Sequence, residues 1–210
     1  MKLLLAVALL LSAGCRSTYY GVMEQFGVHK REILVDRVEE GREAQAEAKK
    51  EFQSALKAFQ SVTGFQGGDL EKLHDRLNDQ YESCADRVDE VKTRIGSIET
   101  VAKDLFTEWK KELAEISDAK LRGQSEKTLE DTQARYRQLI GAMKKAESKM
   151  APVLTSFRDR VLFLKHNLNA QAIASLSGEL GTIETDVGAL VREMETAIAE
   201  ADAFVKQMGG

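Results

Sequence analysis

The sequence predicts an all-α protein, an elongated antiparallel bundle of three to four long helices with coiled-coil character. Three observations lead to this fold class. One proline, 6% aromatic residues and 30% charged residues in a chain of 210 are typical of long helices. Apolar residues recur at steps of three and four over long stretches, which is the core-facing stripe of a helix. Convincing strand-like alternation of apolar and polar residues is missing from the sequence, so no sheet is predicted.

The first predicted helix runs from about Val28 to Thr63. It opens a bundle domain of residues 29–210, which follows a tether of residues 15–28. The middle of its stripe is small and polar, so we expect close packing there with little apolar burial. Glycines after Thr63 end the helix, and Asp69 is the predicted cap of the next one. The stripe consists of Leu34, Val38, Gly41, Gln45, Ala48, Phe52, Ala55, Phe59 and Val62.

The second predicted helix runs from Leu70 to Ile116 and carries the longest stripe of the chain. Cys84 belongs to that stripe, which favours burial of its thiol over a disulfide between two chains. The stripe consists of Leu70, Leu73, Leu77, Tyr81, Cys84, Val88, Val91, Ile95, Ile98, Ala102, Leu105, Trp109, Leu113 and Ile116.

The third predicted helix begins within residues 117–125, where Asp118 and Ser125 are rival N-caps. It extends to Leu164, and Pro152 inside it predicts a kink rather than an end. Its stripe consists of Leu129, Thr132, Tyr136, Leu139, Met143, Ala146, Met150, Val153, Phe157, Val161 and Leu164.

The fourth predicted helix runs from about Ala170 to Gln207, after a turn that Asn167 and Asn169 suit. Short connections make consecutive helices antiparallel neighbours. Whether three or four of them close the core stays open. The stripe consists of Ile173, Leu176, Leu180, Ile183, Val187, Leu190, Met194, Ile198, Ala201 and Val205.

Residues 1–14 are predicted to be an export signal rather than part of the bundle. Lys2 precedes an apolar run from Leu3 to Leu11, and small residues 12–14 separate this run from Cys15. A helix that crosses a membrane needs about 20 apolar residues. A signal peptide needs about 7–15 behind a positive charge, so the short run favours a signal.

Cys15 then occupies the place of the acylated cysteine of a bacterial lipoprotein. Ser12 stands where such signals usually have leucine, so cleavage without lipidation remains an alternative, as does a cytosolic protein with a frayed apolar N terminus. A thioether-linked diacylglycerol and an amide-linked chain such as palmitate would anchor the protein stably. Lipoproteins retained in the inner membrane typically have aspartate after the cysteine. Arg16 therefore favours the outer membrane, with the protein facing the periplasm.

The sequence predicts no catalytic residue, no metal site and no cofactor. Its three histidines belong to no zinc or haem motif, and no nucleophile elbow or phosphate-binding loop occurs. Glu71 and His74 have the spacing of a di-iron ligand pair, but a second pair is missing and the adjacent Leu70 and Leu73 already form the stripe. The net charge of −4 argues against a nucleic-acid partner.

Residues 17–31 resist a purely structural interpretation. Tyr19, Tyr20 and Phe26 lie close to the predicted anchor and could occupy the membrane interface, where tyrosine is favoured. Lys30 and Arg31 could then meet lipid phosphates. The alternative, equally supported, is that this segment packs on the end of the bundle.

Residues 161–176 contain one lysine and no acidic residue, which is unusual for this chain. Either the stretch is buried on most sides, which is the favoured alternative, or it forms an exposed contact patch at an end of the bundle. The candidate contact residues are Leu162, Phe163, Leu164, His166, Asn167, Asn169 and Ile173.

Three motifs carry a resemblance to a known family. They are Cys-x-Ser-Thr-Tyr-Tyr at residues 15–20, His-Lys-Arg-x-Ile-Leu-Val-Asp-Arg-Val at 29–38 and Leu-Lys-His-Asn-Leu-Asn-Ala-Gln-Ala-Ile-Ala at 164–174. The chain resembles a family of uncharacterised proteobacterial lipoproteins that is classified only as a domain of unknown function. The resemblance implies a lipoprotein with a helical domain. It implies no activity, ligand or catalytic residue.

These features predict a membrane-anchored, non-enzymatic structural or interaction protein of the cell envelope. Its expected partners are the membrane, through the lipid anchor, and an envelope protein or the cell wall. The alternative is a binding module that holds a small apolar or lipid ligand in a groove of the bundle. The sequence does not determine the oligomeric state.

Overall fold

The computed structural model describes residues 30–63, 70–167 and 169–208. In these ranges the chain forms four long helices and no strand, so the all-α bundle is confirmed and the number of long helices is four. The coiled-coil character of their packing stays a prediction. The helices are α1 (Lys30–Thr63), α2 (Leu70–Leu113), α3 (Ala119–His166) and α4 (Ala170–Met208).

The helices form a ring in which each packs against two neighbours. α1 contacts α2 and α4, and α3 contacts the same two helices. Lys30, in the first turn of α1, pairs with Glu108 near the end of α2. Arg160, late in α3, pairs with Glu179, early in α4. These pairs show that neighbouring helices run in opposite directions, as predicted.

The bundle therefore has two ends, each made of four helix termini. The base contains the start of α1, the end of α2, the start of α3 and the end of α4. The tip contains the other four termini. The two ends are defined by Lys30, Leu113, Ala119 and Met208 at the base, and by Thr63, Leu70, His166 and Ala170 at the tip.

The connection between α2 and α3 refines the predicted boundaries. α2 ends at Leu113 rather than at Ile116, because the chain turns there and the Ile116 amide donates to the Leu113 carbonyl at 3.4 Å. Asp118 is the N-cap of α3, since its carboxylate accepts hydrogen bonds from the amides of Lys120 and Leu121 at 2.8 and 3.0 Å. A carboxylate at this position satisfies amides that have no partner within the helix.

α3 continues through Pro152 to His166 without ending, as the sequence predicts. The Pro152 side chain is exposed. Proline removes one backbone donor from a helix, and at the solvent face water can satisfy the carbonyl that loses its partner.

Three phenylalanines join α1 and α3 across the bundle. The rings of Phe59 and Phe157 stack with centroids 4.9 Å apart, and the centroids of Phe52 and Phe157 are 6.0 Å apart. Phe52 and Phe157 are completely buried. Because α1 and α3 occupy opposite corners of the ring, this cluster holds the two diagonal helices together.

The middle of α1 packs closely, as its small residues predict. A Cβ atom added to Gly41 would lie 2.7 Å from Ile98 Cδ1 of α2 and 3.2 Å from Met143 Cε of α3. Glycine is therefore the residue that lets the side chains of both helices reach α1. The space that small residues leave on this helix is filled by Ile98 and Met143.

Gln45, one turn after Gly41, is a completely buried polar side chain. Its Nε2 donates to the Met143 carbonyl at 3.5 Å, which is a weak contact, and its Oε1 has no hydrogen-bond partner among the described residues. A buried acceptor without a partner lowers stability, because its hydration is lost and not replaced.

We therefore expect Gln45→Leu to raise the free energy of unfolding by about 1 kcal/mol. Urea denaturation followed by far-UV circular dichroism measures the change. Gln53→Leu, at an exposed position of the same helix, is the matched control and should leave stability almost unchanged. A loss of stability in Gln45→Leu would show that the amide contributes more than its unpaired oxygen costs.

Cys84 lies in the core and is completely buried, as predicted from its place on the stripe of α2. Burial raises the pKa of its thiol from 9.0 to about 12, with a smaller contribution from the charge of Glu51. The thiol is thus protonated and shielded, which makes it unreactive at neutral pH.

This raised pKa predicts a loss of stability in alkali. The unfolded chain releases the Cys84 proton near pH 9, whereas the folded chain holds it to about pH 12, so ionisation favours unfolding within that window. The stability difference between wild type and Cys84→Ala should shrink by up to about 1.4 kcal/mol per pH unit above pH 9. Parallel stability curves for the two proteins would contradict this expectation. Effects of alkali that are common to both proteins cancel in the comparison.

Candidate functional site

An apolar surface lies at the tip, on the last turn of α3. Leu162 is 42% exposed and Phe163 is 40% exposed, and the neighbouring His166 is exposed as well. We call these three residues the tip patch. Large apolar side chains exposed next to one another usually mark a contact surface.

The helical phase explains why this run of apolar residues divides into two faces. Val161 and Leu164 are three residues apart, face inward and are buried, so Leu162 and Phe163 must point away from the core. Ile173, on α4, is also buried. Of the predicted contact residues, Leu164 and Ile173 thus belong to the core. Burial, the favoured alternative for this stretch, applies to them and not to Leu162 or Phe163.

Two asparagines shape the turn that carries the tip patch. The Asn167 side chain donates to the Phe163 carbonyl at 2.8 Å at the end of α3. Asn169 Oδ1 accepts from the Ala172 amide at 3.0 Å at the start of α4. Their polar groups therefore cap helices, and their role as contact residues stays a prediction.

On its α4 side, the surface around the tip patch carries little charge. Lys165 is exposed beside it, and on α4 the first charged residue is Glu179, which pairs with Arg160 at 2.8 Å. The exposed side chains between them, at Gln171 and on residues 174–178, are small or uncharged. The tip thus offers an apolar centre that is uncharged on its α4 side and is bordered on α3 by the exposed Arg158 and Asp159, one turn away. An apolar centre with a polar rim is the usual composition of protein interfaces.

At the base, Lys30 and Arg31 are engaged within the bundle. The Lys30 ammonium pairs with Glu108 at 2.5 Å, and its side chain is 12% exposed. The Arg31 guanidinium donates to the Met208 carbonyl at the end of α4. Both cations thus fix the first turn of α1 against its neighbours. Their predicted contact with lipid phosphates is untested.

The other residues predicted to lie near a membrane fall outside the described ranges. These are Cys15, Tyr19, Tyr20 and Phe26, and the signal peptide of residues 1–14 lies outside them too. Among the helices of residues 30–63, 70–167 and 169–208, none has a stretch long and apolar enough to cross a membrane.

The histidine and carboxylate positions assemble no metal site in the described part of the chain. No three residues of the His, Cys, Asp and Glu types come together there. The Glu71 side chain is exposed, while that of His74 is half-buried with its Nδ1 3.2 Å from Asp75. His74 thus lies at the edge of the core, next to the buried Leu73.

The described grooves are shallow and lined by charges. One of about 500 Å³ lies between α2 and α3 at the base, where Lys110, Arg122, Glu126 and Glu130 surround Leu113. A small apolar ligand would gain little from such walls, since apolar pockets are the usual sites for it. The small residues of α1, which suggested a ligand groove, face the side chains that fill the space at Gly41.

Leu121 is not among the residues predicted from the sequence, and at 56% it is the most exposed large apolar side chain of the described residues. It lies in the first turn of α3, four residues before Ser125 and eight before the buried Leu129. These spacings place it on the core face of α3. Extending the apolar stripe upstream from Leu129 would have revealed it.

The comparisons with known proteins identify a family and give no activity. A family model described as "Protein of unknown function (DUF2959)" matches residues 19–208. No curated protein matches the chain. No solved structure matches it either.

Proposed function

Since the chain belongs to the family of proteins of unknown function DUF2959, we propose its role from its own architecture: a lipid-anchored spacer of the bacterial cell envelope that presents a contact surface to a partner protein. In this proposal Cys15 carries the acyl chains. The bundle stands in the periplasm on the outer membrane, and the tip patch binds the partner. The role is structural and non-enzymatic.

The lipid anchor is supported by the signal pattern of residues 1–14 and by the small residues ahead of Cys15. Two or more acyl chains hold a protein on a membrane stably, whereas one chain binds only marginally. Arg16 after the cysteine supports the outer membrane. The anchor also explains why an export signal precedes a bundle whose described helices cannot cross a membrane.

The position of the tip patch supports the proposed role as a spacer. The anchor is joined to the base through Lys30, while Leu162 and Phe163 lie at the tip. The 34 residues of α1 span about 50 Å. A partner bound at the tip is therefore held at about that height above the base, which is the function of a spacer.

The chemistry of the tip patch supports a protein partner over the charged polymer of the cell wall. Protein interfaces have apolar, often aromatic centres that are depleted of charge. Phe163 would be the aromatic anchor of such an interface and Leu162 its aliphatic neighbour. A charged polymer would require a cluster of cations, and Lys165 is the single charged side chain in residues 161–176.

Site-specific photocrosslinking tests the contact. A benzoylphenylalanine placed at position 163 of the full chain in living cells should capture one reproducible protein partner. The same group at Thr196, an exposed position in the second half of α4 and far from the tip, should not capture it. Leu162→Ser should weaken the adduct at position 163. Equal capture at positions 163 and 196, or no adduct at 163, would contradict the proposed contact.

Metabolic labelling tests the anchor separately. Cells fed radiolabelled palmitate should label the wild-type protein and not Cys15→Ser, and the label should fractionate with the outer membrane. Absence of label in the wild type, or equal label in Cys15→Ser, would overturn the lipid anchor and leave the contact at the tip as an independent question.

A further inference from the structure

The α2–α3 hairpin projects beyond the other two helices at the base. Lys30 begins α1 opposite Glu108, so residues 109–113 of α2 lie past the start of α1. Because α3 and α4 are antiparallel, the numbers of two residues at the same level add up to a nearly constant value. The ion pairs Lys145–Glu193 and Arg160–Glu179 set this value at 338 to 339. By this register Met208, the end of α4, stands at the level of about Asp131. Residues 119–130 of α3 thus extend past α4. We call residues 109–130 the overhang.

The overhang has an apolar inner face that continues the core. Trp109 follows the core stripe of α2 and is half-buried, and its indole donates to Ser125 of α3 at 2.9 Å. Leu121 continues the stripe of α3 upstream and is 56% exposed. Ile116, in the connecting turn, is half-buried. Two helices of the ring therefore present core residues at a level that α1 and α4 do not reach.

We propose that residues 19–29 of the same chain pack on this inner face and complete the bundle at its base. They join α1 at Lys30, the point where the overhang begins. Their apolar residues Tyr19, Met23 and Phe26 precede Lys30 at steps of four, three and four, the spacing of the α1 stripe itself. Leu34 then follows Lys30 at the next step of four.

The length and the charge of residues 19–29 fit the inner face of the overhang. Residues 119–130 span about 18 Å of helix, and eleven residues reach about 16 Å even at helical rise and further when extended. Residues 19–28 contain one charged side chain, Glu24, so covering the apolar face with them buries little charge. The family match begins at residue 19, so the same unit contains both the segment and the overhang.

This inference rests on the proposed function and deepens it. A segment held along the overhang leaves the three residues Arg16, Ser17 and Thr18 between Cys15 and the packed part of the chain. The acyl chains would then lie next to the α2–α3 turn, and the bundle would be held upright at a fixed height. A free tether of residues 15–29 would instead let it tilt and swing.

Photocrosslinking from Leu121 identifies what covers this face. A benzoylphenylalanine at position 121 of the full chain in cells should form an intrachain adduct with a peptide from residues 19–29, identified by mass spectrometry. The control is the same group at position 162, at the opposite end, which should give no adduct with that peptide. A lipid adduct at position 121, an adduct with a second copy, or an adduct with another protein would each overturn the proposal.

The single tryptophan of the chain, Trp109, gives an independent measurement. In the purified full chain in phosphatidylethanolamine and phosphatidylglycerol vesicles, Phe26→Ser should shift its emission to the red and at least double its quenching by acrylamide. Phe163→Ser, at the tip, should change neither. An unchanged Trp109 signal in both Phe26→Ser and Met23→Ser would overturn the packing, whether or not palmitate labels Cys15.

Discussion

Phe157→Ala is expected to lower the free energy of unfolding by about 3–5 kcal/mol. Phe157 is completely buried, stacks on Phe59 and touches the ring of Phe52. Removing the phenyl group leaves a cavity between α1 and α3, the two helices that lie diagonally opposite each other in the bundle. Urea denaturation followed by far-UV circular dichroism measures the loss.

Phe163→Ala is the matched control for this substitution. Phe163 lies on the same helix, and its substitution by alanine removes the same atoms, but its side chain is 40% exposed at the tip. A change well below that of Phe157→Ala is expected, since surface substitutions typically alter stability by about 0.5 kcal/mol or less. Equal losses in the two variants would show that the diagonal contact contributes no more than an exposed ring.

Gly41→Leu is expected to lower the free energy of unfolding by about 1–3 kcal/mol through overpacking. Even a Cβ atom at this position would meet Ile98 Cδ1 at 2.7 Å, and a leucine adds three further carbons. Gly96→Leu is the control, because a Cβ atom added at this exposed position meets nothing within 4 Å. The control should raise stability by about 0.5–1 kcal/mol, the helix-propensity gain over glycine.

A double-mutant cycle identifies the cause of the Gly41 effect. Ile98→Ala alone removes a buried side chain and should destabilise the protein. In the double variant, Ile98→Ala provides space for the leucine at position 41. The sum of the stability losses in the two single variants should therefore clearly exceed the loss in the double variant. Strict additivity would show that Gly41 is required for a reason other than the proximity of Ile98.

The helices and their core faces could be predicted because burial repeats with the helical period. Val161 and Leu164 follow the stripe of α3 and are buried, and Cys84 follows the stripe of α2 into the core. Turn chemistry is also local: Asn169 caps α4 through an amide three residues away. Such features depend on nearby residues, which a pattern of spacing captures.

Features that depend on distant parts of the chain could not be predicted. Arg31 donates to Met208, a residue 177 positions away, and Lys30 pairs with Glu108, 78 positions away. Nothing local to residues 30 and 31 distinguishes a cation committed to the bundle from one available to lipid. The choice between the N-caps Asp118 and Ser125 likewise depended on where α2 ends.

At the candidate site, spacing is a better guide than composition. Leu162 and Leu164 are identical residues two positions apart in one uncharged run, yet one is 42% exposed and the other is completely buried. The predicted stripe of α3 separates them, because it includes Leu164 and not Leu162, whereas the lack of charge in this run does not. For Leu121, spacing predicts that it lies on the core face of α3. Its exposure depends on the level at which α4 ends, which spacing does not predict.

The closed ring of helices imposes an order on folding. α1 is flanked by α2, which follows it directly, and by α4, which ends at Met208. A chain that emerges vectorially from a ribosome or an export pore, N terminus first, can pair α1 with α2 early. The opposite flank of α1 stays bare until nearly the whole polypeptide has emerged. Until α3 has emerged as well, Phe52 and Phe59 lack the Phe157 ring that covers them, so the speed of chain emergence and the chaperone supply would govern the yield of native protein.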